Sequence, residues 1–66
     1  MRFKVEKMSC NHCVRAVTNA IRELDPQALV EVDLANGIVQ VIGQVPAEDA
    51  AGAMTAEGYP ARRIED

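Results

Sequence analysis

The spacing of apolar residues along this 66-residue chain changes several times, and each spacing predicts one element of secondary structure. Strict alternation over residues 2–7 predicts a strand that buries Phe3 and Val5 on one face. From about residue 12 to 24 the apolar residues recur every three or four positions, which predicts an amphipathic helix. The apolar side of this helix carries Val14, Val17, Ile21 and Leu24.

The middle of the chain predicts the end of this helix and then a β-hairpin. Ser9 or Asn11 could be the N-cap of the helix, and Asn11 is favoured by its position. Pro26 ends the helix, because the residue before a proline is pushed out of the α region. Residues 29–34 and 38–43 alternate as two strands. Asn36-Gly37 between them is a strong hairpin signal, so the two strands are expected to pair antiparallel.

The last third of the chain predicts a second helix and a short final strand. The helix begins around Pro46, which is followed by acidic residues in the first turn, and it ends at Gly58, which tolerates the left-handed conformation. Residues 60–64 predict a strand at a sheet edge, where a proline is tolerated, and the tail Glu65-Asp66 is expected to be solvated.

The element order βαββαβ with short connections predicts an α+β fold formed by one domain over residues 1–66. A split βαβ arrangement places four strands in one antiparallel sheet and both helices on one face of it, which is a ferredoxin-like sandwich. The bulky apolar residues are expected to form its core, Leu24, Leu29 and Ile42 among them. A chain of this length has little room for a buried substrate pocket as well.

Composition and charge exclude several classes of function. The net charge is −3 and there is no Trp, which argues against a nucleic-acid surface of clustered basic and aromatic residues. No apolar run reaches the ~20 residues of a membrane span, and the charged start does not resemble a secretory signal, so we expect a cytoplasmic protein that is not embedded in a membrane. The chain offers neither paired catalytic carboxylates nor a nucleophile with an oriented base, so it is not expected to be an enzyme.

Both cysteines, Cys10 and Cys13, lie three positions apart with the only histidine, His12, between them. They fall on a loop and the first turn of a helix, where free backbone N–H groups and the helix dipole favour thiolate over thiol. Two close thiolates bind a soft metal ion or form a disulfide. Cu(I) accepts two thiolates, whereas Zn²⁺ prefers four ligands, so metal binding is favoured over a redox dithiol or inert cysteines.

The run Met8-Ser9-Cys10-x-x-Cys13, together with Glu57-Gly58-Tyr59-Pro60 before the last strand, resembles the heavy-metal-associated domain family over the whole chain. The similarity is greatest to its bacterial Cu(I) chaperones. The resemblance implies that Cys10 and Cys13 bind Cu(I) and that the ion passes by thiolate exchange to a copper-transporting P-type ATPase. An excised metal-binding domain of such an ATPase, a Zn²⁺- or Hg²⁺-binding relative and a thiol–disulfide redox protein remain alternatives.

Three other residues in or next to the cysteine motif are candidates for a role at the metal site. His12 is either an exposed residue that tunes the charge of the loop or an auxiliary ligand, for example in a copper-bridged dimer. Met8 is expected to plug the core rather than ligate the metal, because its flexible side chain fills irregular space. Ser9 favours copper, since zinc- or cadmium-selective relatives often carry an acidic residue there.

Three further residues are candidates for contacts beside the metal. Tyr59 could shield the thiolates and offer its hydroxyl to a sulfur atom. Lys7 and Arg15 flank the loop, where they would stabilise the negatively charged copper–dithiolate or steer docking to an acidic partner, although they could equally be ordinary surface charges. The protein is expected to be a monomer without copper.

Overall fold

A computed structural model of the chain describes residues 1–64 and confirms the predicted element order. The four strands form one sheet in the order β2-β3-β1-β4, with every neighbouring pair antiparallel. Glu65 and Asp66, predicted to be a solvated tail, lie outside the described residues. The elements are β1 (Arg2–Val5), α1 (Asn11–Leu24), β2 (Leu29–Asp33), β3 (Ile38–Ile42), α2 (Ala47–Ala56) and β4 (Ala61–Arg63).

One core lies between the sheet and the two helices, as the ferredoxin-like prediction requires. The sheet, α1 and α2 each contribute side chains that are fully withdrawn from solvent. Burying one such side chain stabilises the fold by about 1.5–3 kcal/mol. The largest of these side chains are Phe3, Val39 and Val41 from the sheet, Val17 and Ile21 from α1, and Met54 from α2.

The prediction that Leu24, Leu29 and Ile42 belong to the core was wrong, because these side chains are 49%, 60% and 53% exposed. Leu29 and Ile42 are paired across β2 and β3 and lie on the face of the sheet that no helix covers. Leu24 is the last residue of α1. The sequence pattern assigned large residues to the interior, whereas Ala20, Ala28 and Ala50 fill that space and leave it compact.

The strands are shorter than predicted at several ends, and the hairpin loop between β2 and β3 spans four residues, 34–37. The register pairs Asp33 with Ile38, and the Asp33 carboxylate accepts hydrogen bonds from the backbone N–H and the side-chain amide of Asn36. Gly37 has a φ of 67°, which suits glycine. Asn36-Gly37 therefore marks the hairpin correctly, but the side chain of Asp33 sets the length of its loop.

The C-terminus of α2 fixes the direction in which the chain leaves the helix. The backbone N–H of Tyr59 donates to the Met54 carbonyl at 3.0 Å, and that of Gly58 donates to the Thr55 carbonyl at 3.0 Å. These two bonds form a Schellman motif, in which Gly58 adopts a φ of 95° as the sequence predicted. The motif matters for the site described below, because Tyr59 is the first residue beyond the left-handed glycine.

We expect substitution by alanine to have opposite effects at the two glycines of this segment. A Cβ atom would meet nothing within 4 Å at either Gly52 or Gly58, but only Gly58 has a positive φ. Gly52→Ala should raise the free energy of unfolding by about 0.5–1 kcal/mol, because Gly52 lies within α2. Gly58→Ala should lower it by about 1–2 kcal/mol, because alanine is strained at that φ. Urea unfolding measures both changes, and equal shifts would contradict the assigned helix end.

Candidate metal centre

The loop between β1 and α1 carries a non-glycine residue in the left-handed region, Lys7, with a φ of 69°. Such a conformation costs about 1–2 kcal/mol, so neighbouring contacts must hold it. The Lys7 carbonyl oxygen accepts from the Cys13 thiol at 4.0 Å. The sequence gives no sign of this contact, because it is made by a main-chain atom and neither the lysine nor its neighbours indicate a turn.

Cys10 and Cys13 come together because one caps α1 and the other lies on its first turn. The prediction that Asn11 is the N-cap was wrong: Cys10 is the N-cap, and its carbonyl oxygen accepts from the backbone N–H groups of Cys13 at 3.0 Å and Val14 at 3.3 Å. Both thiols are free and their sulfur atoms are 3.6 Å apart. Cys10 is exposed, whereas Cys13 is buried.

The surroundings of Cys13 favour its thiolate form and lower its pKa from 9.0 to about 7. The largest cause is a hydrogen bond from the Tyr59 hydroxyl, followed by one from the backbone N–H of Ser9, while partial burial acts in the opposite direction. The same contact raises the pKa of Tyr59, because its proton is held by the Cys13 sulfur. The structure thus brings Tyr59, which lies 46 positions further along the chain, to the dithiol.

Tyr59→Phe is expected to raise the pKa of the Cys13 thiol above about 7, because the substitution removes only the hydroxyl that donates to the thiolate. In the apo protein with Cys10→Ser, ultraviolet absorbance of the thiolate against pH reports this value. Cys13 binds fewer protons in the folded than in the unfolded chain between its two pKa values, so its contribution to stability is present above pH 9.0 and is lost as the pH falls towards 7. An unchanged titration curve would show that the Tyr59 hydroxyl does not lower the pKa of Cys13.

The remaining residues singled out from the sequence lie around the loop. Met8 is half-buried and packs against the core, as expected of a plug, whereas Ser9, His12 and Arg15 are exposed. Within residues 1–64 no three His, Cys, Asp or Glu side chains are grouped so that they could hold one metal ion. His12 is therefore not gathered with the two thiols in this conformation, and its role as an auxiliary ligand stays a prediction.

The fold and the site together define a class of protein: a small βαββαβ sandwich with two free thiols, one exposed and one buried, at the start of its first helix. Residues 2–60 match the heavy-metal-associated domain family. The chain belongs to this family. No helix within residues 1–64 is long and apolar enough to cross a membrane.

Several members and structural neighbours are similar to the chain over most of its length. The copper chaperone CopZ of Bacillus subtilis is 42% identical over 60 residues, which cover 86% of this chain and 87% of CopZ. The structure of the copper chaperone Atx1 from Synechocystis PCC6803 superposes with a TM-score of 0.89 at 29% identity, covering 94% of this chain and 98% of Atx1. A gold-binding protein superposes with a TM-score of 0.88 at 35% identity, covering 94% of this chain and 95% of that protein.

Proposed function

We propose that this protein is a copper chaperone that binds one Cu(I) ion through Cys10 and Cys13 and passes it to a copper-transporting P-type ATPase. The observation that carries the proposal is the pair of free sulfur atoms 3.6 Å apart, one exposed and one buried, at the N-terminus of α1. The similarity to copper chaperones over most of the chain supports it. The whole of residues 1–66 acts as one such domain in the cytoplasm.

The donor set favours Cu(I) over Zn²⁺. Two thiolates satisfy a soft monovalent ion, whereas Zn²⁺ is held in structural sites by four ligands. The absence of a third grouped His, Cys, Asp or Glu side chain within residues 1–64 supports the lower coordination number. In this proposal His12 adds a ligand only when two copies share one copper ion, and the protein without copper is a monomer at micromolar concentrations.

Transfer follows from the unequal exposure of the two cysteines. A thiolate of the partner adds to Cu(I), which becomes three-coordinate, and the bond from copper to Cys10 then breaks. Repetition of this exchange at Cys13 completes the transfer without any change in oxidation state. Cys10 leaves first because it is exposed, whereas Cys13 is buried and hydrogen-bonded by Tyr59. Tyr59 also shields the bound ion from water on the side of α2.

The exposed basic residues beside the loop, Lys7 and Arg15, are proposed to guide an acidic partner to the copper site. Lys7→Glu with Arg15→Glu should slow copper transfer by about tenfold at low salt, with the difference shrinking at high salt, because steering by surface charges is screened. Stopped-flow transfer to the metal-binding domain of a copper ATPase measures the rate.

The control for this prediction is Arg22→Glu, a charge reversal in the last turn of α1, far from the loop. It should leave the transfer rate within about twofold of the parent, because α1 separates it from the loop by more than two turns. Equal slowing by Arg22→Glu would mean that the overall charge of the protein, rather than Lys7 and Arg15, governs the encounter. Transfer that proceeds at the parent rate in the loop variant would remove Lys7 and Arg15 from the mechanism.

A further inference from the structure

Of the three asparagines in the chain, only Asn36 is followed by glycine. An asparagine deamidates when the backbone nitrogen of the next residue attacks its side-chain carbonyl carbon, and glycine obstructs this approach least because it has no side chain. Asn11 and Asn19 are also exposed, but both lie within α1 and precede residues with side chains. The fixed dihedral angles of a helix keep the next backbone nitrogen from reaching that carbon. The hairpin loop is therefore where this reaction is favoured.

The peptide group that joins Asn36 to Gly37 has a cation at its oxygen. The Lys4 ammonium donates to the Asn36 carbonyl oxygen at 2.6 Å, whereas the Gly37 N–H makes a longer bond, 3.3 Å, to the Leu34 carbonyl oxygen. The Gly37 nitrogen becomes nucleophilic only after it loses its proton, and the negative charge then spreads onto the Asn36 carbonyl oxygen. A hydrogen bond between ionised groups is stronger than one to a neutral acceptor. Lys4 is thus placed to make the Gly37 nitrogen more reactive.

The carboxylate of Asp33 acts in the opposite direction. It accepts from the Asn36 side-chain amide at 2.8 Å and from the Asn36 backbone N–H at 3.3 Å. The first of these bonds holds the Asn36 side chain towards residue 33, whereas the reaction needs it turned towards Gly37. A negative charge beside the loop also disfavours loss of the proton from the Gly37 nitrogen. Asp33 is thus placed to slow the reaction that Lys4 favours.

We propose that Asn36 is a site of spontaneous deamidation in the folded chain, promoted by Lys4 and restrained by Asp33. The Gly37 nitrogen loses its proton to water and forms a bond to the side-chain carbon of Asn36. The bond from that carbon to Nδ2 breaks, and Nδ2 takes up a proton from water and leaves as ammonia, so that a succinimide ring is closed. Water then adds to either ring carbonyl and opens the ring to an aspartyl or an isoaspartyl residue at position 36. The net reaction converts an amide and water into a carboxylic acid and ammonia, without oxidation or reduction.

The hairpin loop contacts the end of the strand from which the metal loop begins. The Gly37 carbonyl oxygen accepts from the Val5 backbone N–H at 2.8 Å, and a Cβ atom added at Gly37 would lie 3.0 Å from the Val5 carbonyl oxygen. Val5 is the last residue of β1. An isoaspartyl residue adds an extra carbon to the main chain just before Gly37, so this close contact must change. The modification therefore acts on the end of β1 and adds a negative charge beside Asp33.

The test is incubation of the reduced, metal-free parent protein in mildly alkaline buffer for several weeks, followed by tryptic digestion and mass spectrometry. Trypsin places the three asparagines in separate peptides, residues 8–15, 16–22 and 23–62. The mass gain from replacing an amide by a carboxylic acid should appear in the last peptide, and fragmentation should locate it at Asn36. No mass gain at Asn36 in the folded chain, or an equal gain at Asn11 or Asn19, would overturn the proposal.

Substitutions of the two charged residues separate the proposal from simple exposure of the loop. Lys4→Met should slow deamidation by about three- to tenfold, and Lys4→Arg should recover most of the parent rate because it keeps a charged donor. Asp33→Ala should speed deamidation by about threefold, because it removes both the hydrogen bonds and the negative charge. Loss of the Lys4 contact also frees the hairpin to move, which by itself would speed the reaction. A slower Lys4→Met variant therefore supports the role of its charge.

Arg62→Met is the matched control for Lys4→Met, because Arg62 is exposed and pairs with Lys4 across β1 and β4. It removes one positive charge but keeps the bond from Lys4 to the Asn36 carbonyl, so the rate should stay within about twofold of the parent. In urea the parent and Lys4→Met should deamidate equally fast, since Lys4 and Asn36 are 32 positions apart in the chain. Circular dichroism confirms that the variants are folded without urea.

Four results with these variants would overturn the proposal. They are a folded Lys4→Met that deamidates at least as fast as the parent, an Asp33→Ala that is no faster, equal slowing by Arg62→Met, and a difference between Lys4→Met and the parent that persists in urea. The first two would contradict the opposite roles of Lys4 and Asp33. The last two would show that the effect does not depend on the contact between Lys4 and Asn36.

Discussion

Replacing Cys13 by serine is expected to abolish tight Cu(I) binding, with a loss of affinity of well over 100-fold. Loss of an outer hydrogen-bonding partner of a metal ligand typically costs 10- to 100-fold, and loss of a ligand in a two-ligand site must cost more. Cys10→Ser should also be severely impaired but should bind somewhat better than Cys13→Ser. The reason is that it retains the thiol whose pKa is lowered to about 7, and with it the hydrogen bond from Tyr59.

Anaerobic competition against a chromophoric Cu(I) chelator measures these affinities. Ser9→Ala is the matched control, because Ser9 is exposed beside Cys10 and the alanine retains the backbone N–H that faces the Cys13 sulfur. It should bind copper nearly as tightly as the parent. Comparable affinity in Cys13→Ser and the parent would show that the ion is held elsewhere, and a larger loss in Cys10→Ser than in Cys13→Ser would contradict the roles assigned to the two thiols.

The second large effect concerns stability: Ile21→Ala should destabilise the fold by about 2–5 kcal/mol, whereas Leu24→Ala should cost less than about 1 kcal/mol. Ile21 is fully buried between α1 and the sheet, and its loss leaves a cavity. Leu24, three residues further along the same helix, is 49% exposed. A domain of this size has roughly 3–10 kcal/mol of total stability, so Ile21→Ala is expected to lose a large fraction of it.

Thermal unfolding of the metal-free chain, followed by circular dichroism, compares the two variants directly. Cu(I) should raise the midpoint of Ile21→Ala, because an ion that binds only the folded state stabilises it. Equal destabilisation by the two substitutions would mean that Leu24 is buried after all and that the end of α1 packs differently. A fully stable Ile21→Ala would contradict the position of the core.

Much of the fold could be predicted from the sequence, because the spacing of the apolar residues and the positions of the turn-forming residues indicate the same elements. Alternation around Phe3 indicates a strand, and the three- and four-residue spacing through Ile21 indicates a helix. Gly37 marks the hairpin and Gly58 marks the end of the second helix. The short connections leave few ways to join these elements. The burial of individual side chains could not be predicted as well as the order of the elements. Whether a strand residue such as Leu29 points inward depends on the register with β3, and a shift by one position reverses it.

The site was predictable where its residues are adjacent and less so where they are distant. Cys10 and Cys13 can be found from their spacing at the start of a helix. The N-cap is nevertheless Cys10 rather than the predicted Asn11, because the Cys10 carbonyl accepts the first hydrogen bonds of the helix. The proximity of Tyr59 to Cys13 was expected from the family resemblance rather than from the local pattern, because it depends on how α2 packs against α1. The contact between the Lys7 carbonyl and the Cys13 thiol could not be predicted, because it does not depend on the identity of the side chain at position 7.

The most direct test of the central claim is an anaerobic titration of the reduced parent protein with Cu(I) in the presence of competing Zn²⁺. The proposal predicts tight binding of one Cu(I) per chain, little displacement by Zn²⁺ and no such binding when Cys10 and Cys13 are both serine. Binding of Zn²⁺ as tight as that of Cu(I), or equal binding of Cu(I) by the double-serine variant, would contradict it.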